Sequence, residues 1–395
     1  MLLLKRAIFQ QQHEDDTWPF QELASEPYRD LIRSSLIPCR LGQPYPVMSR
    51  EKSKKRRICL DKSRCAAHFC RMPIFSSTAL SSARPWPVPP LEGTITTADE
   101  LVRFQASHHA IRPETRKVAN YREALEWGYE EIQKRPLAGS LILGLHARLL
   151  RGVRGGSGAG SYKQQQNYIG DRPDDPIDRA LFIPPGPTVV PKLVQQLEQY
   201  INGENEDPRV VQCALTHYQF ETIHPFKDGN GRVGRLIIIL QMIQLGLLSA
   251  PLIYPSVYFE RTISVYYQRL QDVREHGAWD EWIGFFAEGI RQQALETRTF
   301  THVILGLRQN LHDEIGNVSR RASINAVLDA FFQHPVLSLS EVTRQARMAR
   351  HSAQKAVDLL QEHDIVYEMT GKEKGRVYAC RPVLDAIFRG AVRNP

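Results

Sequence analysis

His224-Pro225-Phe226-Lys227-Asp228-Gly229-Asn230-Gly231-Arg232-Val233-Gly234-Arg235 leads without a break into Leu236-Ile237-Ile238-Ile239-Leu240. The apolar pattern of Val233, Leu236, Ile237, Leu240, Met242 and Ile243 predicts a helix from Arg232 onward. On the other side, Val210, Val211, Ala214, Leu215 and Phe220 give a second helix an inward apolar face and deliver His224 at its end. Further outward, helical periodicity recurs over 115–134, 137–153, 190–203, 208–223, 232–247, 258–275 and 278–311, with one short hairpin around 168–184. The expected core is mainly α, with the loop around Asp228 lying between two of its helices.

Each residue type in that loop suits an anionic ligand. Gly229 and Gly231 lack Cβ atoms, so their backbone can take left-handed conformations and bring N–H groups close to an anion. The helix that follows offers free N–H groups and a positive dipole end, the natural seat of a phosphate. Arg232 and Arg235 are three apart on it and can reach the same side of a ligand with forked donors. Asp228 supplies a hard oxygen, and Mg²⁺ on a phosphate substrate takes only one or two protein carboxylates. His224 has the one unperturbed pKa near neutrality, which suits a base removing a proton from a hydroxyl. Taken singly, a glycine pair beside an arginine is an ordinary loop. Together these residues describe a nucleotide phosphate site.

The segment resembles the signature of the Fic domain family, His-Pro-Phe-x-Asp/Glu-Gly-Asn-Gly/Lys-Arg-x-x-Arg, at every defined position. The resemblance implies an adenylyltransferase that moves AMP from ATP onto a Ser, Thr or Tyr hydroxyl of a target protein and releases pyrophosphate. It makes His224 the catalytic base, Asp228 the Mg²⁺ ligand, and Gly229, Asn230 and Gly231 the cradle of the α- and β-phosphates. Arg232 would hold the β-phosphate region and Arg235 the γ-phosphate, with Val233 and Gly234 inside the nucleotide-binding run. Phe226 would anchor the loop in the core. In-line attack needs positioning and charge neutralisation, not a covalent intermediate, which fits a loop without a Ser or Cys nucleophile.

Further segments are similar to the family. Gly160-Ser-Tyr-Lys163-Gln-Gln-Gln-Asn167-Tyr-Ile-Gly170 and Leu181-Phe182-Ile183-Pro184-Pro185 resemble the stretch leading to a hairpin flap that docks an extended target strand. Tyr258-Phe259-Glu260 and Tyr266-Tyr267-Gln-Arg-Leu270 resemble a helix lining the adenine pocket, although Thr262 stands where relatives often carry Asn. Tyr266 is the candidate base-binding residue. The alternative is that these aromatics form a core stripe at helical spacing.

A chain of 395 residues has room for two or three domains, and 42% apolar with 24% charged content is ordinary for a globular protein. No run of eighteen apolar residues marks a membrane span, and Met1-Leu2-Leu3-Leu4-Lys5-Arg6 does not read as a signal peptide. The six cysteines form no disulfide framework, so a reducing, cytoplasmic setting is expected. Cys59, Cys65, His68 and Cys70 follow no familiar zinc spacing. Of the net charge of +8, residues 1–90 carry +7, from fifteen Lys and Arg against eight Asp and Glu. The catalytic region is therefore near neutral and shows no general nucleic-acid surface. The run Lys52-Ser53-Lys54-Lys55-Arg56-Arg57 reads as a solvated face, a partner site or a localisation signal.

Many Fic proteins carry an inhibitory helix with the motif Ser/Thr-x-x-x-Glu-Gly/Asn, whose Glu pairs with the second signature arginine. Glu92-Gly93-Thr94 resembles the end of that motif, but Val88 stands four residues earlier, inside Pro85-Trp86-Pro87-Val88-Pro89-Pro90. Removing those six residues restores Ser82-Ala83-Arg84-Leu91-Glu92-Gly93. Prolines exclude a continuous helix here, so Glu92 would reach Arg235 poorly and autoinhibition would be weakened.

After Gly316, Ile324, Val327, Leu328 and Phe331 suggest a helix, Ser340–Ala346 and His351–Leu360 a helix-turn-helix pair, and Ile365–Cys380 a hairpin. The expected organisation is a basic region 1–90, a Fic-like core 91–312 and a winged-helix-like domain 318–392. Arg344, Arg347, Arg350, His351 and Lys355 could face DNA phosphates, and a protein-docking or dimerising role is the alternative. Two functions follow: a Mg²⁺-dependent adenylyltransferase using ATP on protein hydroxyls, or a DNA-binding regulator with a nucleotide sensor. Removal of AMP by the same loop is a third. A catalytic base at His224 favours chemistry over sensing, and a homodimer is a candidate assembly.

Overall fold

The computed structural model describes residues 113–153, 158–170, 176–315, 321–371, 373 and 375–392. Glu92, the proline segment before it and the basic run 52–57 lie outside the described residues. The core comprises α1 (Pro113–Ile132), α2 (Gly139–Leu149), α3 (Val190–Asn202), α4 (Arg209–Ile223), α5 (Asn230–Gln244), α6 (Ser256–Arg261), α7 (Ile263–His276) and α8 (Trp279–Glu314). α9 (Arg321–Gln333), β1 (Val336–Ser338), α10 (Leu339–Gln345), α11 (Arg350–Glu362), β2 (Val366–Glu368), β3 (Val377–Cys380) and α12 (Arg381–Val392) follow. The expected class holds: a mainly helical core followed by a small α+β unit.

α4 and α5 pack against each other at the centre. Every α4 residue from Val210 to Ile223 is buried, and α5 is buried all round from Leu236 to Ile243, as expected of helices enclosed by others. One apolar cluster joins them to α1, α2 and α3 through Leu141, Leu145, Val194 and Leu240. A second joins them to α6, α7 and α8 through Phe259, Leu270, Trp282 and Phe286. Two long-range bonds tie this interior together: Trp282 Nε1 donates to the Ala214 carbonyl at 3.0 Å, and Gln241 Nε2 to Thr216 Oγ1 at 3.0 Å.

Two expectations need correction. The single helix expected over 258–275 is broken between α6 and α7 at Thr262 (φ −120°, ψ 36°). Thr262 Oγ1 donates to the Tyr258 carbonyl at 2.7 Å, a local bond that competes with helix continuation. The hairpin around 168–184 is, among the described residues, one antiparallel bridge, Ile169 with Phe182.

The C-terminal unit gains a strand and a helix that periodicity did not reveal. Its sheet runs β1-β3-β2, antiparallel, with Leu337 opposite Tyr378 and Tyr367 opposite Ala379. Ser338 caps α10 in a reciprocal box: Glu341 N–H donates to Ser338 Oγ, and Ser338 N–H to Glu341 Oε2. α8 passes from the core into this unit, where Ile304, Leu311 and Ile315 join the cluster of Val327, Phe331 and Leu360.

Candidate active site

α4 ends because His224 turns left-handed (φ 47°, ψ 60°), its N–H still donating to the Phe220 carbonyl at 3.0 Å, and Pro225 brings no donor to extend the helix. The loop closes at Gly229 (φ 82°), from which α5 starts. A Cβ there would meet Arg232 Nη2 at 3.5 Å, an ordinary contact. Conformation, not space, therefore asks for glycine. Asn230 clasps the loop internally, accepting from Phe226 N–H and donating to the Phe226 carbonyl, both at 2.8 Å.

Groups from outside also hold carbonyls of the loop. Lys163 N–H donates to Pro225 O at 2.9 Å, Asn167 Nδ2 to Phe226 O at 2.9 Å, and His146 Nε2 to Asp228 O at 3.1 Å. His146 Nδ1 accepts from Gly160 N–H at 3.0 Å, so the imidazole is neutral with its proton on Nε2. Burial pulls its pKa to about 4. Its ring stacks on Phe226 with centroids 3.8 Å apart.

The reactive groups stand on this frame. His224 Nδ1 lies 3.4 Å from the Glu221 carbonyl, which can only accept, so the proton sits on Nδ1 and the Nε2 lone pair is left to act. Burial, with the charges of Lys163 and Arg274, brings its pKa down to about 4. Arg232 is 3% exposed, with Nη2 3.3 Å from Asp228 Oδ1, while Nε and Nη1 are buried without a hydrogen-bond partner. Val233 N–H donates back to Gly229 O at 3.0 Å. The preceding N–H groups of Asn230, Gly231 and Arg232 lie in a helical turn that provides no acceptor for them. Orphaned guanidinium donors beside a helix N-terminus form a seat for an anion. The Asp228 side chain remains 42% exposed, a hard oxygen of the type Mg²⁺ takes alongside phosphate.

Arg235 lies one turn along, where its charge acts on Tyr121, His217 and Glu260. Both Glu260 carboxylate oxygens are buried without a hydrogen bond, and burial raises its pKa to about 7 against the pull of Arg235.

The structure thus brings His224, Asp228, Gly229, Asn230, Gly231, Arg232 and Arg235 into one turn-and-helix unit. Other expected ligand residues serve packing. Val233 is fully buried, and a Cβ on Gly234 would lie 2.3 Å from Glu221 Oε1, so this glycine lets α4 and α5 approach. The Asn230 side chain braces the loop, leaving only its backbone to an anion. Tyr266 is 7% exposed, its hydroxyl 3.0 Å from His217 Nε2 within a ring of Phe259, Trp282 and Phe285. The core-stripe reading fits its place. Sequence reasoning missed His146 and Arg274 as neighbours of the site, and placed Lys163, Asn167 and Glu260 only within flanking segments, without a role of their own. The one signal available was polarity inside apolar helices, as at His146 between Leu145 and Leu149.

These features define a helical protein whose signature loop and helix N-terminus set unpaired donors beside a neutral histidine. Residues 136–242 match the Fic/DOC family, and residues 90–130 the Fic/DOC family N-terminal region. Over these residues the chain is similar to that family. Protein adenylyltransferase Fic of Drosophila melanogaster is 34% identical over 159 residues, 40% of this chain and 29% of that protein. A probable protein adenylyltransferase of Aquifex aeolicus (strain VF5) is 33% identical over 119 residues, 30% of this chain and 34% of that protein. The chain therefore matches about a third of the length of these relatives. A Fic family protein from Desulfovibrio desulfuricans G20 superposes with a TM-score of 0.50 at 18% identity, covering 86% of this chain and 98% of that one, and so shares the fold.

Proposed function

We propose that this protein transfers AMP from ATP to a hydroxyl side chain of a target protein. The observation that carries the reading is the pairing of an unprotonated His224 Nε2 with the orphaned donors of buried Arg232 at a helix N-terminus. His224 takes the proton of the attacking hydroxyl, and its low pKa keeps it ready across the neutral range. The backbone N–H groups of Asn230 and Gly231 and the Arg232 guanidinium hold the phosphates in line. Arg235, one turn further, suits the end of the triphosphate. Asp228 would hold Mg²⁺, which when bound neutralises phosphate charge. Residues 318–392 form, in this reading, a winged-helix domain that selects targets or partners, with Arg344, Arg350, His351 and Lys355 exposed on α10 and α11. Glu92 is the inhibitory residue, weakened by the prolines before it.

The test is incubation with α-³²P-labelled ATP and Mg²⁺, comparing wild type, His224→Ala and Glu92→Gly. Label retained on protein, lost in His224→Ala, is the expected result. A rise in Glu92→Gly would mean that the inhibitory contact still forms. Label that persists without His224 would overturn the role of the base.

A further inference from the structure

Lys163 lies outside the signature loop, yet it is buried against that loop, its ammonium group bonded to Asn167, which itself holds the Phe226 carbonyl. The residue is 3% exposed, and its N–H is pinned to the carbonyl of Pro225, the residue after His224, at 2.9 Å. Its Nζ donates to Asn167 Oδ1 at 2.6 Å, and Asn167 in turn donates to the Phe226 carbonyl. An ammonium has three donors and this acceptor is neutral. Among the described residues, burial is the one influence on Lys163 that is resolved, with no carboxylate charge opposing it, and it draws the pKa down to about 8. The group therefore stays largely charged near neutral pH. A buried cation without an anion is costly, and such groups are ordinarily paired. Its charge is felt by His224, which places it on the base side of the site.

We infer that Lys163 is a third protein cation of the phosphate site, donating to the non-bridging oxygens of the phosphoryl group attacked beside His224. The inference rests on the AMP-transfer reading for the identity of that group, the α-phosphoryl. In the step, the target oxygen bonds to the α-phosphorus and the α–β bridging bond breaks. The hydroxyl proton passes to His224 Nε2, and pyrophosphate leaves with the bond electrons. Charge builds on the α-phosphoryl oxygens, where a fixed ammonium acts most strongly in the transition state. Asn167 is the positioning residue that aims it.

The experiment uses the full chain as wild type, Lys163→Met and Lys163→Arg. AMP affinity is measured by calorimetry, and kcat and KM for ATP by label transfer. Lys163→Met should lower kcat about 100-fold, as loss of one preorganised donor does, with a smaller change in KM and about 10-fold weaker AMP binding. Lys163→Arg should recover part of both. In parallel, the Lys163 side-chain resonances of wild type should shift on adding AMP, a readout that survives if the Met variant does not fold. Unchanged AMP binding and kcat in Lys163→Met, or resonances indifferent to AMP, would overturn the inference while leaving AMP transfer standing. AMP binding that depends on Lys163, in a wild type that transfers no label, would sink the transfer reading and keep the anion site.

Discussion

At the scale of single residues, the chemistry depends on where protons sit. His224 is held unprotonated by burial and by the positive charges of Lys163 and Arg274, against its bond to the Glu221 carbonyl. An imidazole titration followed by ¹⁵N resonance should find its Nε2 free of a proton down to about pH 5, with protonation near pH 4. Removing one of the opposing charges, in Lys163→Met, should move that titration upward. A midpoint near the ordinary 6.5 in wild type would contradict the buried site. The residue types on the loop were legible without a structure because their spacing along the chain is itself the site. His146 was not legible, and the roles of Lys163 and Glu260 within their flanking segments were not, because nothing local distinguishes a buried polar side chain beside a ligand from one that merely closes a core.

Helices and loop work as one element. α4 stops at a left-handed histidine and α5 starts at a left-handed glycine, so His224 and the first N–H groups of α5 are fixed by two helix ends a few residues apart. Close approach of these helices depends on Gly234. Gly234→Ala would put a methyl 2.3 Å from Glu221 Oε1 and 3.1 Å from Phe220 Cδ1. Its expected cost is about 1–3 kcal/mol by overpacking, with weaker nucleotide binding as α5 shifts, checked by urea denaturation and calorimetry. His146→Ala removes a donor to Asp228 O, an acceptor for Gly160 and a stacking partner of Phe226. It should destabilise by about 1–3 kcal/mol through groups left unpaired and raise KM for ATP. Unchanged denaturation and KM would mean that the loop holds itself.

For the whole molecule, α8 is the connection between core and C-terminal unit. Arg308 Nε and Nη2 reach the two Asp329 carboxylate oxygens at 2.8 and 3.0 Å, and His312 Nε2 lies 3.0 Å from one of them. Ile304, Leu311 and Ile315 are covered by that unit. Truncation after Glu314 would remove Ile315 and expose Ile304 and Leu311, and the shortened protein should aggregate at concentrations where the full chain does not, as light scattering would register. Stability should also depend on pH in a defined window. His146, His217 and His224 have folded values of about 4, 3 and 4 against 6.5 unfolded. Below about pH 6.5 the unfolded chain takes up these protons first, so the histidine contribution is intact at neutral pH and is lost as pH falls toward 4. Thermal melts from pH 7.5 to 4.5 should show a falling Tm, less steeply in His217→Gln.

The sequence by itself determined the helical class, the order of the core helices and the loop from His224 to Arg235, because periodicity and short-range spacing are local properties. Only the tertiary structure decided that Tyr266 belongs to the core, that Val233 and Gly234 pack α5 against its neighbours, and that Thr262 breaks the sixth expected helix into two. It also decided which distant groups, His146, Lys163 and Asn167, close on the loop's carbonyls. Their burial and pairing arise from contacts between segments far apart in the chain, and such contacts set the charge state of His224.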